Sequence, residues 1–418
     1  MSILLCLSVA LMAGLFMSRL AKPLNLPAVT AYLVAGIVVG PYCLGRIGIQ
    51  GIGFISHSDV TGFEIISNVA LGFIAFSIGN EFRLSQLKHT GKRAVVTALC
   101  EALGATVVVD IVLLILHFII PETLTLPMVL SLGAIATATA PAATLMVVKQ
   151  YKAKGKVTEI LLPVVALDDA ICLIVFAVNF GVAKAMTKGE FDLISIVIEP
   201  IIEIFASVAL GILTGYVFSF SERFFKSNSK RLSLSIGFVF LTVALSMLEI
   251  PVGKITIAFS PLLVCMMLGT VFCNVCDFSE ELMLRADKWT APLFVLFFVL
   301  SGAELEFEVF KSPSVILIGL VYIIFRAVGK YSGAYLGARL TRSDPSIQKY
   351  LGITLFPQAG VALGMSLQVG ELGEAGALVR NIILFGVLIY ELIGPSLTKT
   401  ALIKAGEIVP KENQKKSA

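Results

Sequence analysis

The stretch Leu161-Leu-Pro-Val-Val-Ala-Leu-Asp-Asp-Ala-Ile-Cys-Leu-Ile-Val-Phe176 places two adjacent carboxylates, Asp168 and Asp169, inside a long apolar segment. Burying carboxylates in such a segment is costly, and ionisable residues within membrane spans usually face a cavity and carry function. The stretch therefore predicts a helix in the membrane whose two aspartates form a site at which a cation and protons compete.

Composition indicates that the rest of the chain is also embedded in a membrane. The 418 residues are 57% hydrophobic and 14% charged, with a mean hydropathy of +0.94, whereas soluble proteins contain about 25% charged residues. We predict an all-α polytopic membrane protein with one continuous membrane domain over residues 1–404 and a short polar tail over 405–418. The expected surroundings are the lipid bilayer, and we expect no enzyme activity, no cofactor and no nucleic acid partner.

Apolar stretches of about 20 residues, the length that crosses the core of a bilayer, recur along the chain and predict thirteen transmembrane helices. They cover approximately residues 3–18, 25–41, 62–79, 93–120, 125–148, 157–182, 192–220, 231–249, 252–273, 289–303, 313–338, 349–370 and 376–402. Basic residues concentrate in cytoplasmic loops. With the N-terminus outside, 23 of the 32 Lys and Arg residues fall on the cytoplasmic side and six on the external side. This asymmetry predicts an external N-terminus and a cytoplasmic C-terminus.

A weak internal repeat relates the ends of the third and tenth predicted helices. Residues 76–84 and 299–307 share a Gly-x-Glu pattern, in which Gly79 corresponds to Gly302 at an offset of 223. Seven spans separate the two copies, and an odd number inverts the second copy in the membrane. Inverted repeats are common in ion-coupled transporters, whose sites lie at the midplane between broken helices; chance similarity between two apolar segments is the alternative.

Two prolines predict where helices are broken, since a proline inside a helix removes a backbone hydrogen bond. Pro141 in the fifth predicted helix corresponds to Pro357 in the twelfth at an offset of 216. The freed carbonyls, together with the hydroxyls of Thr137 and Thr139, are hard oxygen donors that suit a small cation. The alternative interpretation is a simple proline kink in which the threonines bond to their own backbone.

Depth along the predicted helices, counted at about 1.5 Å per residue, brings these features together. Asp168 and Asp169 lie near the middle of the sixth helix, and residues 137–141 lie just past the middle of the fifth. Arg326 lies at the middle of the eleventh helix and Pro357 near the middle of the twelfth. Convergence of charged residues and helix breaks on one plane predicts an ion site at the midplane.

Charge then suggests a role for each ionisable residue. Arg326 is permanently charged and needs a counter-ion in this setting, for which Asp168 is the preferred partner and Glu101 the second. Lys330 is the alternative partner for Asp168 and, unlike arginine, can lose its proton. Asp169 is then the carboxylate at which a metal cation and protons compete, with Asp168 as the second residue of the ion site.

These residues resemble the monovalent cation:proton antiporter superfamily, in particular its bacterial sodium/proton antiporters and the related potassium-efflux branch. The marks are residues 26–41, the Thr-x-Thr-x-Pro pattern at 137–141, Asp168-Asp169 and Arg326-Ala-Val-Gly-Lys330. The resemblance implies a homodimer in the cytoplasmic (inner) membrane. Each protomer would have dimerisation or scaffold helices over about 1–60 and 192–273. Its core helices, over about 62–182 and 289–402, would contain two crossed discontinuous helices and undergo an elevator-type movement.

The resemblance also implies an activity. It matches Asp169 to the ion-binding aspartate and Asp168 to the aspartate paired with a base, a combination associated with electrogenic exchange of Na⁺ for H⁺. The departure is Arg326, which we align with a position that is lysine in aspartate-pair members, and this leaves the stoichiometry open. Li⁺ or K⁺ in place of Na⁺, K⁺/H⁺ antiport, electroneutral Na⁺/H⁺ exchange and transport of an organic ion are the alternatives. An intramembrane aspartyl protease is a remote one, because its two aspartates should share a proton from different helices.

Overall fold

The structure is a computed structural model of the chain. It describes residues 3–21, 23, 28–49, 53–56, 60, 62–84, 91–140, 144, 147–148, 151–187, 198–248, 250–252, 255–305 and 311–408. Within these residues, eight helices are long and apolar enough to cross a membrane, and three shorter apolar helices accompany them. The polytopic α-helical class is thereby confirmed, whereas the count of thirteen spans stays a prediction.

The chain folds into two compact units. Unit 1 comprises Met1–Leu87 and Lys184–Phe307, and unit 2 comprises Lys88–Ala183 and Glu308–Ala418. The helices of unit 1 are α1 (Ile3–Ala21), α2 (Ala28–Val39), α3 (Glu64–Glu81), α7 (Glu199–Glu222), α8 (Asn228–Ser246), α9 (Pro261–Val275) and α10 (Ser279–Ala303). Those of unit 2 are α4 (Lys92–Ile119), α5 (Leu126–Ile135), α6 (Lys156–Thr187, in unit 2 up to Ala183), α11 (Pro313–Leu340), α12 (Pro345–Thr354), α13 (Gly360–Val369) and α14 (Glu374–Lys404).

One predicted helix begins later than expected, and the two helices that were predicted to be broken are interrupted. The ninth, expected to begin at residue 252, is preceded by an antiparallel pair of short strands, β1 (Ile250–Val252) and β2 (Ile255–Ile257), and α9 begins only at Pro261. The fifth ends at Ile135 and continues as a turn at residues 136–137 and as chain without helix over residues 138–140. The twelfth is two helices, α12 and α13, separated by residues 355–359. Prolines and glycines at these points oppose continuous helix.

Glycines bring helix backbones into contact in unit 1. A Cβ on Gly36 of α2 would lie 2.8 Å from the nitrogen of Ala303 in α10. A Cβ on Gly269 of α9 would likewise lie 3.0 Å from the nitrogen of Asn80 in α3. Since no side chain fits at such distances, glycine is required at both crossings, which is how membrane helices approach closely.

In unit 2, the segment after α14 and the residue before α12 both contact the start of α6. The Glu407 carboxylate accepts hydrogen bonds from the backbone nitrogens of Val157 (2.6 Å) and Thr158 (2.9 Å) and from the Thr158 hydroxyl (2.7 Å). These are first-turn donors without a partner inside the helix, and an anion there is favoured by the helix dipole. Beside them, Lys156 Nζ lies 2.6 Å from Asp344 Oδ2. The segment after α14 therefore caps the helix that carries the aspartates.

Asp344 has a second role as the N-cap of α12. Its Oδ1 accepts a hydrogen bond from the backbone nitrogen of Ser346 at 3.0 Å. Hydrogen bonds from Lys156 and then from Ser346 lower the pKa of the Asp344 carboxyl to about 2.

Candidate ion site

Two interrupted helices contact each other in unit 2. Residues 136–140, a turn followed by chain without helix, come after α5, and residues 355–359 separate α12 from α13. The nitrogen of Ala140 donates to the carbonyl of Pro357 at 2.8 Å, and the Thr139 hydroxyl lies 3.4 Å from the carbonyl of Leu355. Pro357 thus lies within the interruption predicted for it, whereas Pro141 lies outside the described residues. Each interruption therefore supplies hydrogen-bond partners for backbone groups of the other that lost their partners when the helix was broken.

Arg326 of α11 lies where carbonyls of both interruptions converge. Its Nε donates to Ala136 at 3.1 Å, its Nη1 to Phe356 at 2.8 Å and its Nη2 to Ala138 at 2.5 Å. The Arg326 Cζ also lies 4.4 Å from the ring centroid of Tyr390. These carbonyls lie at and just after the C-terminal ends of α5 and α12, where the helix dipole favours a cation. A side chain that is fully buried therefore has its charge stabilised by backbone dipoles.

This arrangement corrects the expected pairing of Arg326 with Asp168. The basic side chain that contacts Asp168 is Lys330, one turn further along α11, with Nζ 3.1 Å from Oδ2. Backbone carbonyls take the place of the carboxylate expected beside Arg326. The position of carbonyls freed by a helix break cannot be predicted from residue types. For this reason Arg326 was wrongly preferred as the partner of Asp168, and the alternative, Lys330, contacts it.

Lys330 joins four elements of unit 2. Its Nζ lies 2.7 Å from Glu101 Oε2 on α4, 3.1 Å from Asp168 Oδ2 on α6 and 2.8 Å from the Thr139 hydroxyl in the first interruption. The side chains of Lys330, Glu101 and Asp168 are 0% exposed. We call Lys330, Glu101 and Asp168 the lysine cluster. Its two carboxylates share one ammonium group, so it contains one more acidic than basic side chain.

Asp169 follows Asp168 on α6 and is itself 1% exposed. Successive helical residues point about 100° apart, so Asp169 is directed away from the contact that Asp168 makes with Lys330. The Thr137 hydroxyl in the first interruption donates to the carbonyl of Ala134 at 2.7 Å and is fully buried. The predicted ion-site residues of the first interruption and of α6 are thus all buried in unit 2.

A glycine stripe that the sequence analysis did not single out positions Glu101 beside Lys330. Gly329, Gly333 and Gly337 recur every four residues along α11. A Cβ on Gly333 would lie 2.7 Å from the Cα of Glu101. Backbones of α4 and α11 therefore touch at this level, as small residues at this spacing allow in membrane helices.

Gln358 was also missed. Its Nε2 donates to the carbonyl of Ile135 at 3.0 Å and lies 2.9 Å from the Tyr322 hydroxyl. It therefore satisfies a carbonyl at the end of α5 that Arg326 does not reach. A fully buried glutamine beside a proline was the available signal, because buried amides need partners.

Comparison with known proteins bears on both fold and family. The family described as "Sodium/hydrogen exchanger, transmembrane" matches residues 7–404. The fold resembles that of the sodium proton antiporter MjNhaP1 from Methanocaldococcus jannaschii at pH 8, with a TM-score of 0.74, 18% sequence identity and coverage of 96% of this chain and 97% of that one. An electron-microscopy structure of MjNhaP1 gives a TM-score of 0.69 at 17% identity, covering 97% and 98%.

Shorter matches come from plant proteins. Cation/H(+) antiporter 19 of Arabidopsis thaliana is 32% identical over 78 residues, and Cation/H(+) antiporter 20 is 35% identical over 79 residues. Each match covers 19% of this chain and only 10% or 9% of the length of the plant protein. The family match, in contrast, extends over nearly all of the 418 residues, and the chain therefore belongs to the sodium/hydrogen exchanger family.

Proposed function

We propose that this protein is a secondary antiporter that exchanges Na⁺ for H⁺ across the bacterial cytoplasmic membrane. The observation that carries the proposal is the lysine cluster: Glu101, Asp168 and Lys330, all fully buried, meet beside two helix interruptions. Ion-coupled transporters bind their ions where helices are broken, and the chain belongs to an exchanger family. Li⁺ and K⁺ are the other candidate cations. Family membership also disfavours the aspartyl protease alternative.

Asp169 and Asp168 are the proposed ligands of the transported Na⁺. Among the described residues, no three His, Cys, Asp or Glu side chains are grouped so as to hold a metal ion, so neutral oxygens must complete the ligand set. Thr137 is the better hydroxyl ligand, because its oxygen donates one hydrogen bond and keeps its lone pairs. Thr139 accepts a hydrogen bond from Lys330, which leaves only one of its two lone pairs for an ion.

Competition between Na⁺ and H⁺ follows from the surplus of acid. A buried charge without compensation is strongly disfavoured, so the excess negative charge is neutralised either by a bound Na⁺ or by a proton. Binding of one lowers the affinity for the other. When the site faces each side of the membrane in turn, this exclusion couples the two gradients and produces exchange.

The identity of the base beside Asp168 supports an electrogenic cycle. A lysine can release its proton when the neighbouring carboxylate binds Na⁺, whereas an arginine remains charged. Lys330 contacts Asp168, and Arg326 is held by carbonyls, so the arginine that left the stoichiometry open is not the base at the site. Each net charge moved would draw about 2.3 kcal/mol per 100 mV. Electroneutral exchange and K⁺/H⁺ antiport are the alternatives.

An inverted repeat is part of the proposal, and the glycine contacts of unit 1 support it. A Cβ on Gly36 would meet backbone atoms of Val299 and Ala303, and one on Gly269 would meet those of Phe76 and Asn80. Val299 and Ala303 correspond to Phe76 and Asn80 at the offset of 223 that also relates Gly79 to Gly302. Two helix crossings thus use equivalent backbone positions in the two halves of the sequence.

The remaining features of the proposal concern architecture. We propose thirteen spans with an external N-terminus, a homodimer, and elevator-type movement of an ion-binding core whose two discontinuous helices cross. The lysine cluster and both interruptions lie in unit 2, which supports assigning that unit to the core. Residues 62–87 and 289–307, which lie within the predicted core, cluster with unit 1.

The activity is tested with purified protein in liposomes that contain a pH-sensitive dye. Addition of Na⁺, Li⁺ or K⁺ after acidification should relieve quenching in the wild type, and Asp169→Asn should abolish this response. Asp287→Asn, which removes an exposed carboxylate of α10 in unit 1, is the matched control and should respond as wild type. Full activity of Asp169→Asn would refute the proposed site. An unchanged voltage response of Asp168→Asn under an ionophore clamp would count against its share in charge movement.

A further inference from the structure

A groove lies at the end of unit 2 where α14 ends and α12 begins. It has a volume of about 280 Å³ and is lined by Tyr331 of α11, by Lys349, Tyr350 and Ile353 of α12, and by Leu397, Thr400, Ala401 and Lys404 of α14. Among the described residues, no acidic side chain lines the groove, and no residue of the lysine cluster does. On the predicted topology, this end of unit 2 faces the cytoplasm.

Four hydrogen-bond donors around the groove have no partner within the described part of the chain. The Lys349 and Lys404 ammonium groups form no ion pair there, and the Tyr331 and Tyr350 hydroxyls donate no hydrogen bond. Lys349 Nζ lies 5.4 Å from the ring centroid of Tyr350, and both lysines are exposed. By contrast, the Thr400 hydroxyl in the groove wall donates to a backbone carbonyl. Two cations and two free hydroxyls around one concavity suit the oxygens of a phosphate group.

The other side of the groove is apolar and continues onto an exposed apolar surface. Leu397 and Ile353 line the groove, and Leu397 is 36% exposed. One turn earlier on α14, Ile393 is 50% exposed. The described part of the chain has eight candidate membrane spans. Apolar residues exposed on α14 therefore face lipid tails. Tyrosines and lysines at the end of such a surface are typical of the membrane–water interface.

We propose that this groove binds the headgroup of an anionic phospholipid, with an acyl chain along Leu397 and Ile353. A free phosphate compound would use the cations and hydroxyls but would leave the apolar half of the groove in water. A lipid uses both halves. Anionic lipids are enriched in the cytoplasmic leaflet, where each nearby lysine contributes about 1 kcal/mol. The groove would thus anchor unit 2 to that leaflet at the end where α6 is capped.

The test measures lipid retained by the full-length protein. Protein purified from mixed micelles containing equal amounts of phosphatidylglycerol and phosphatidylcholine is analysed by native mass spectrometry. We expect the wild type to retain phosphatidylglycerol in preference. The variant Lys349→Gln/Lys404→Gln should bind it about 30-fold more weakly, which corresponds to about 1 kcal/mol for each lysine. The matched control, Lys226→Gln/Lys230→Gln, removes two exposed lysines of unit 1 and should retain as much as wild type.

A second variant separates a seated lipid from a general charge effect. Leu397→Trp fills the apolar half of the groove with both lysines intact and should also reduce retention. Unchanged retention in Leu397→Trp, or equal loss in the unit 1 control, would show surface attraction alone and overturn the proposal. Equal retention in Lys349→Gln/Lys404→Gln would also overturn it. So would displacement of the lipid by free glycerol phosphate at an equal concentration, because the site would then bind a soluble anion. Unchanged thermal stability of the variants in phosphatidylcholine alone shows that they are folded.

Discussion

Replacing Lys330 with glutamine tests the energetic content of the lysine cluster. The change leaves Glu101 and Asp168, both 0% exposed, without the ammonium that lies 2.7 Å and 3.1 Å from them. Removing one partner of a buried ion pair costs about 3–5 kcal/mol, because the remaining charge stays buried without compensation. We therefore expect the free energy of unfolding of Lys330→Gln to fall by about 3–5 kcal/mol at alkaline pH.

A second variant shows whether the loss comes from the shared ammonium. Glu101→Gln alone leaves the contact between Lys330 and Asp168 and keeps an oxygen beside Nζ, so we expect a change of at most about 1.5 kcal/mol. In the double variant Glu101→Gln/Lys330→Gln, one of the two uncompensated carboxylates is gone. Its loss should be smaller than that of Lys330→Gln by about 1–3 kcal/mol, the size of coupling between residues in contact.

The measurement follows unfolding of unit 2 in mixed micelles. Cys172 lies one turn after Asp168 on α6 and is fully buried, so a fluorogenic maleimide reacts with it only on unfolding once the other six cysteines are replaced. Lys226→Gln, an exposed substitution, should stay within about 0.5 kcal/mol of wild type. The reasoning is refuted if Lys330→Gln behaves like this control, or if the double variant is no more stable than Lys330→Gln.

Three further substitutions test other parts of unit 2. Arg326→Lys should lower the free energy of unfolding by roughly 1.5–3 kcal/mol for each lost charged hydrogen bond, because an ammonium cannot span the three carbonyls; thermal stability equal to wild type would contradict this. Gly333→Val should separate α4 from α11 and abolish transport in liposomes, whereas Gly319→Ala on α11, where a Cβ meets no atom within 4 Å, should retain it; equal transport by both would argue against the crossing. Asp344→Ala should lower the melting temperature at neutral pH. Because the folded pKa is depressed to about 2, the stability from Asp344 is complete above its unfolded pKa of about 4 and disappears as the pH falls through about 2. The difference from wild type should narrow over that range, and a constant difference would exclude the ion pair as its source.

The sequence could predict which features lie deep in the protein but not which of them touch. Asp168 and Lys330 were recognised because charges in apolar segments stand out, and the interruption at Pro357 followed from the missing backbone donor. The partner of Arg326 was mistaken, since the competing acceptors are carbonyls that exist only once the helices are broken. The strands before α9 were missed because their apolar residues suit a buried strand or a helix equally well.

The contact between Glu101 and Lys330 also could not be predicted from the sequence. Glu101 was named only as a second partner for Arg326, and its 2.7 Å approach to Lys330 depends on backbones that touch at Gly333. Glycine every fourth residue was visible in the sequence and indicates close helix packing. Its partner helix could not be predicted, because any small-residue face of another helix would serve.

The hydrogen bonds from the start of α6 to Glu407 have a practical consequence for engineering the protein. A chain cut within α14, or a fusion joined directly after Lys404, would leave the amides of Val157 and Thr158 without their acceptor, although the cut is far from any aspartate in sequence. Affinity handles and fluorescent reporters should therefore be attached beyond Ile408. Shortened versions should be judged by ion exchange as well as by yield.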